Sequence, residues 1–499
     1  MGKQKTDHKS LHAGWIQDLK VANIIKIDGA KLVCLACQSN FTFKQKSQLE
    51  QHIKTSKHEN LAKKFAMDPQ RQILLSEAVE SQSNKPFYKN MCQAFISAGI
   101  PWKKLQNPVL QNFLQTYTGR AIPDESTLRK NYLPQIYAEA IEEIIRDVGT
   151  NPIWLSVDET TDACGRYIAN VLIGSLKKDE PSKSHLICSK QLEKTNNATV
   201  TKLVLDSLQM LWPGCKQDQI EAKFLLFITD GVQYMLKAGK NLKVIYTKLL
   251  HVTCLAHGVN RVAEQIRSLF PDVDKFVANM KTAFKKAPSR IAIYKEKCPD
   301  LPLPPNPVIT RWGTWLKATE FYAQHFNEMK DIIETINNDA ASVNTLITMI
   351  QSDDLPRNLA FISLNYTFLA EKFTEFQEHG GSLHQTLQYL DEIENKLLKV
   401  NGHIGKAVIE KCRTVISKNP DLEKLKQISS ILEGQSDEEL PAELNPAEVA
   451  AFNYAPLTSV ETERSFSMHK FLLSDRRQKI TPENLEMELV SRYESLTED

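Results

Sequence analysis

The chain predicts an α/β core with a mixed sheet, interrupted by a large all-helical insertion and preceded by a small metal-stapled module and a helical region. Three observations predict this: a change of period from helix to strand at Pro152, the apolar run KFLLFITD at 223–230 set between helical segments, and the pattern C-x2-C-x14-H-x5-H from Cys34 to His58. With 499 residues the chain exceeds one ordinary core, and about 150 residues per domain gives roughly two to four domains. Its 42% hydrophobic and 24% charged residues are those of a globular chain. No apolar run approaches the ~20 residues that span a bilayer, so a membrane partner is not expected.

The opening MGKQKTDHKSLHAG has no apolar signal segment, so a reducing compartment is expected and the nine cysteines read as thiols or ligands. Net charge is only +2, yet Met1–Phe65 holds twelve Lys or Arg against five Asp or Glu. A basic end on a neutral chain points toward nucleic acid. Within it, Cys34 and Cys37 form a tight knuckle and His52 and His58 sit near a helix C-terminus, the arrangement tetrahedral zinc requires. Phe41 and Leu49 are expected beneath the metal, and Lys54, Lys57, Lys63 and Lys64 supply the basic surface for DNA phosphates.

Helical periodicity follows from about Pro69 to Asp147, with breaks near Ile100–Pro101 and Ala121–Pro123. PIWLSVDE, RYIANVLIGSL and HLICSKQLE then read as a three-stranded meander, ATVTKLVLDSLQMLW as a helix, KFLLFITD as a buried central strand and LLHVTCLAH as a fifth strand. The order β-β-β-α-β-α-β is that of a ribonuclease-H-like fold. From Val259 to about Leu432 the pattern is helical apart from PDLPLPPNP, then the acidic EGQSDEELPAELNPAE forms a linker and LTSVETERSFSMHKFLL a helix. The expected domains are 1–68 (zinc module), 69–149 (helical DNA-binding or dimerisation region), 150–258 (first part of the core), 259–450 (helical insertion) and 451–499 (last part of the core).

Asp158 and Asp230 end the first and fourth strands, which are neighbours in such a sheet, so their carboxylates are expected at one edge. A third acid from a later helix would complete a set able to hold two Mg²⁺ about 4 Å apart for in-line attack on phosphate. Glu463 is the candidate, with Glu461 two residues earlier as its rival on another helix face.

The finger spacing, with Trp15 as a candidate preceding aromatic, resembles a BED-type zinc finger. The stretches LEQHIKTSKHENLAKKF, KPFYKNMCQAFISAGIPWKKLQNPVLQNFLQ and STLRKNYLPQIYAEAI resemble the cellular family that binds CGG triplet repeats, over roughly the first 140 residues. Over 150–490, LLFITDGVQYM, LLHVTCLAHGVN, VITRWGTW and TSVETERSFS resemble the motifs of hAT transposases. This resemblance implies an acid triad at Asp158, Asp230 and Glu463 binding magnesium or manganese, and a Cys-x-x-His motif at Cys254 and His257. It also implies DNA contacts from His257, Arg311 and Trp312. Met468-His469 departs from the family's small residues. ITPENLEMELVSRY resembles its dimerisation segment, so a homo-oligomer is implied, with Leu485, Leu489 and Tyr493 on one face. The implied protein is nuclear, binds double-stranded DNA and needs no small-molecule cofactor. Two functions follow: a DNA transposase cleaving and joining strands, or a domesticated, non-catalytic DNA-binding factor in transcription or chromatin.

Overall fold

The computed structural model describes residues 8–28, 31–37, 39–43, 45–66, 74–308, 313–336, 340–378, 380–435, 439–473 and 480–496. They divide into two compact units, 1–91 with 108–123, and 92–107 with 124–499.

In the first unit β1 (Ile25–Asp28), β2 (Lys31–Cys34) and β3 (Ser39–Phe41) form an antiparallel sheet, with Ile25 opposite Cys34 and Leu32 opposite Phe41. Helices His8–Asp18, Lys46–Ile53 and Ser56–Ala66 accompany it. Ile16, Ile25, Leu32, Cys34 and Leu49 are buried, and Trp15, Phe41 and Phe43 pack partly buried against them. So small a core cannot offset the chain entropy of ordering it, which makes a metal staple the natural stabiliser.

The second unit is a mixed α/β body, mostly helical, around a five-stranded sheet. β4 (Ile153–Thr161), β5 (Tyr167–Ser175) and β6 (His185–Leu192) form the meander, and β7 (Phe224–Thr229) and β8 (Leu250–Thr253) add parallel to β4 in the order β6-β5-β4-β7-β8. Parallel addition requires crossovers, which helices Asn197–Leu211 and Gln233–Ile245 supply. The first is capped by the Asn196 side chain, which accepts from the Ala198 and Thr199 amides at 2.9 and 3.0 Å. Every residue of β7, FLLFIT, is buried, as a strand flanked by strands and covered on both faces should be. The sheet packs closely enough that a Cβ on Gly174 would lie 2.5 Å from the Trp154 ring.

The fifth strand is shorter than the sequence predicted. Pairing with β7 ends at Thr229 opposite Thr253; Cys254 then donates its amide to Thr229 O at 2.8 Å and precedes an amphipathic helix, Leu255–Leu269. LAH therefore belongs to that helix, which places His257 on its first turn. Helices continue from Pro271–Phe284 to Leu422–Leu432, and Val460–Leu472 then returns to β4 and β5.

The last helix, Pro482–Leu496, lies on β6 and on helix Leu133–Val148. Its Leu485, Leu489 and Tyr493 are at most 3% exposed, so the stripe expected to mediate self-association is used inside the chain's own core. A buried histidine fixes it there: His185, 1% exposed, meets the buried Glu494 Oε2 through Nδ1 at 2.7 Å and the exposed Asp147 Oδ2 through Nε2 at 2.8 Å. Among the described residues no helix is long and apolar enough to cross a membrane.

Candidate metal centres

In the first unit the β2–β3 turn carries Cys34 and Cys37, while His52 ends helix Lys46–Ile53 and His58 begins the next. Their donor atoms all lie within 4.8 Å of one another. His58 Nδ1 is 3.4 Å from Cys34 Sγ and 3.3 Å from Cys37 Sγ, and the Cys37 amide donates to Cys34 Sγ at 3.4 Å. The Phe41 ring packs tilted against His52, with centroids 4.3 Å apart, and His52 Nε2 is buried without a hydrogen-bond partner. Burial holds both imidazoles neutral by lowering their pKa values, and it pushes the Cys34 thiol up to about 11. An orphaned nitrogen beside two thiols and a second imidazole fits zinc, whose charge would deprotonate the thiols. Lys54, Lys57 and Lys63 are exposed nearby, whereas the Lys64 side chain, like Arg311 and Trp312, lies outside the described residues.

The second centre lies where β4 and β7 part; Asp230 follows the end of β7 as expected, but Asp158 does not end its strand, because β4 stays paired with β5 as far as Thr161. Ser156 pairs with Ile228, so Asp158 and Asp230 each lie two residues beyond that register position. Helix Val460–Leu472 is pinned across the sheet by Thr462 Oγ1, 2.9 Å from Ser156 Oγ, and by the Asn170 amide donating to Ser465 Oγ at 2.6 Å. That phase turns Glu463 toward Asp158. Glu461 faces elsewhere, paired with Arg464 and accepting from the Tyr493 hydroxyl at 3.4 Å.

Asp158, His257 and Glu463 present donor atoms all within 4.8 Å of one another, with His257 Nε2 3.3 Å from Glu463 Oε1. Asp230 is outside this three-donor set yet close enough to act electrostatically on Asp158. Burial, with Asp230 and Glu463 adding, lifts Asp158 to about 7 against the opposing pull of His257. Glu463 is likewise lifted to about 7 by burial, and Asp230 is raised by burial but held back by the Val232 amide, His257 and Arg261. Crowded, buried acids that resist ionisation are an electrostatic demand for a cation.

Sequence reasoning had not singled out four neighbours. Tyr234 donates to Glu159, whose carboxyl is raised by burial; Arg261 lies one turn beyond His257; Ser459 Oγ is 3.4 Å from His257 Nδ1. Arg261, four residues after His257, would have been findable had the helix been started at Leu255.

Residues 123–283 match a family model described as "Domain of unknown function (DUF659)", a segment that contains Asp158, Asp230 and His257. Over 119 residues the chain is 27% identical to the mouse (Mus musculus) "CGG triplet repeat-binding protein 1" and 29% identical to the human (Homo sapiens) protein of that name. Each alignment covers 22% of this chain and 71% of the relative.

Proposed function

We propose that this chain is a hAT-type, transposase-derived nuclear protein that binds duplex DNA through an N-terminal zinc finger and performs metal-dependent phosphodiester chemistry on a ribonuclease-H-like core. The observation that carries the reading is the meeting of Asp158 and Glu463, 305 positions apart, with Asp230 just past the end of the adjacent strand. The strand order, with three antiparallel and two parallel additions and Asp158 and Asp230 each two residues past the paired Ser156 and Ile228, supports the core assignment. On this reading Asp158, Asp230 and Glu463 hold magnesium or manganese, which would activate the attacking oxygen and stabilise the leaving one. Exposed Lys54, Lys57 and Lys63 neutralise phosphates, while Arg311 and Trp312 would handle DNA.

A second reading, a non-catalytic DNA-binding factor, is favoured by the similarity to a protein named for binding CGG triplet repeats. One experiment separates them. Full-length protein is incubated with supercoiled DNA and Mg²⁺ or Mn²⁺, beside Asp158→Asn. Metal-dependent cleavage lost in the variant supports the catalytic reading; salt-sensitive binding to a CGG-repeat duplex with no cleavage supports the other.

A further inference from the structure

We propose that Asp158, His257 and Glu463 together hold one divalent transition-metal ion, of the Mn²⁺, Fe²⁺ or Zn²⁺ class, in preference to Mg²⁺. This rests on the reading above and changes its ligand set and ion: His257, for which the resemblance implied a DNA contact, takes the place given there to Asp230, and Mg²⁺ gives way to a transition metal.

The donors are already gathered. Their ligand atoms fall within 4.8 Å, and the 3.3 Å between His257 Nε2 and Glu463 Oε1 is a ligand-to-ligand spacing. Two donors each about 2.1 Å from one ion, subtending 90–110°, stand roughly 3.0–3.4 Å apart. Glu463 Oε1 is also buried with no hydrogen-bond partner, so the close approach to the imidazole does not satisfy it.

The supports behind the ligands are in place as well. A metal-bound imidazole is ordinarily oriented by a partner on its other ring nitrogen. His257 Nδ1 has Ser459 Oγ at 3.4 Å, and the Ser459 amide in turn donates to Cys254 Sγ at 3.2 Å. The Leu255 amide donates to Leu457 O at 2.9 Å, which fixes the starts of the two ligand-bearing helices together. Asp158 is 7% exposed, and its Oδ1 accepts from the Glu159 amide at 2.8 Å.

Donor chemistry then selects the ion. Mg²⁺ favours an octahedron of oxygens and keeps several waters, whereas imidazole favours the transition metals. Asp230, with the Arg261 cation acting on it, stands outside the set. The plain alternative is an ion pair between His257 and Glu463 that binds nothing.

The test uses the full chain with its Cys34/Cys37/His52/His58 site filled by one equivalent of Zn²⁺, which thiolates favour. Mn²⁺ is titrated and followed by electron paramagnetic resonance, with pulsed detection of ¹⁴N coupling. We expect one bound Mn²⁺ carrying nitrogen coupling that resists excess Mg²⁺. His257→Gln should abolish the coupling, and both it and Glu463→Gln should weaken binding by at least about tenfold. Asp230→Asn should keep the coupling, and Glu461→Gln should leave both signals unchanged. Binding without nitrogen coupling, ready displacement by Mg²⁺, or no bound Mn²⁺ overturns the site. DNA cleavage assayed in parallel keeps the two proposals apart: Mg²⁺-dependent cleavage that persists in His257→Gln removes this site alone, while a nitrogen-coupled Mn²⁺ in a protein that never cleaves removes the catalytic reading alone.

Discussion

The two candidate metal centres solve opposite problems. Cys34, Cys37, His52 and His58 belong to a module whose buried core is five residues, Ile16, Ile25, Leu32, Cys34 and Leu49, so the ligands themselves must contribute much of the folding energy. Asp158 and Asp230 lie on or just past neighbouring strands of a sheet in which β7 is buried throughout, and Glu463 lies on the helix pinned across it. In the first centre a bound metal would make the structure. In the second the structure crowds acids together, and a metal would relieve them.

The largest expected effect breaks that symmetry. In the full chain, Cys37→Ser or zinc chelation should erase amide-exchange protection over β1–β3 while leaving β4–β8 protected; loss of protection in both would show that the second centre also depends on metal for its fold. Next in size, Leu226→Ala in the fully buried β7 should cost about 2–5 kcal/mol by chemical denaturation, through lost burial and a cavity, without altering zinc content.

A smaller effect has a sign that distinguishes the centres. Asp158 titrates near 7 when folded, against an ordinary value of 3.8. The folded chain therefore holds this proton where the unfolded chain has released it, and stability falls as pH rises from about 4 through 7. In chelator at pH 8, Asp158→Asn should be more stable than the parent, on the order of 1–3 kcal/mol. Adding Mn²⁺ should reverse the order by stabilising only the parent. A variant less stable than the parent in chelator would mean that the carboxylate is not strained by its surroundings.

The smallest concerns the clamp on the last helix. Burial alone would lower His185, but Glu494 and Asp147 raise it above its ordinary 6.5. Its contribution is fully present below the unfolded value and is lost as pH climbs through the raised one. Amide exchange over 482–496 should therefore quicken with rising pH beyond the intrinsic chemical rate, and Glu494→Gln should abolish that excess. An unchanged profile in the variant would leave the helix held by Leu485, Leu489 and Tyr493 alone.

The same contrast explains what the sequence revealed. Four ligands within 25 residues follow from local spacing, and β7 announced itself because five consecutive apolar residues, Phe224 to Ile228, can only be buried. β8 was read too long because CLAH is as apolar as a strand end, and only the end of pairing at Thr253 decides where the helix begins. Glu463 and Glu461 differ by helix phase against a sheet 300 residues earlier, which the bonds of Thr462 to Ser156 and Asn170 to Ser465 set. The C-terminal stripe resembled an interface because a helix covering β6 and a helix covering a second subunit carry the same periodicity.

The most direct measurement of the central claim is cleavage of supercoiled DNA by full-length protein in Mn²⁺ and Mg²⁺, run with Asp158→Asn, Glu463→Gln and Glu461→Gln under identical conditions. Metal-dependent nicking is expected, reduced by orders of magnitude in the first two variants with DNA affinity spared, and retained in the third. Nicking that survives Glu463→Gln, or a metal-loaded parent that binds DNA and never cuts it, would contradict it.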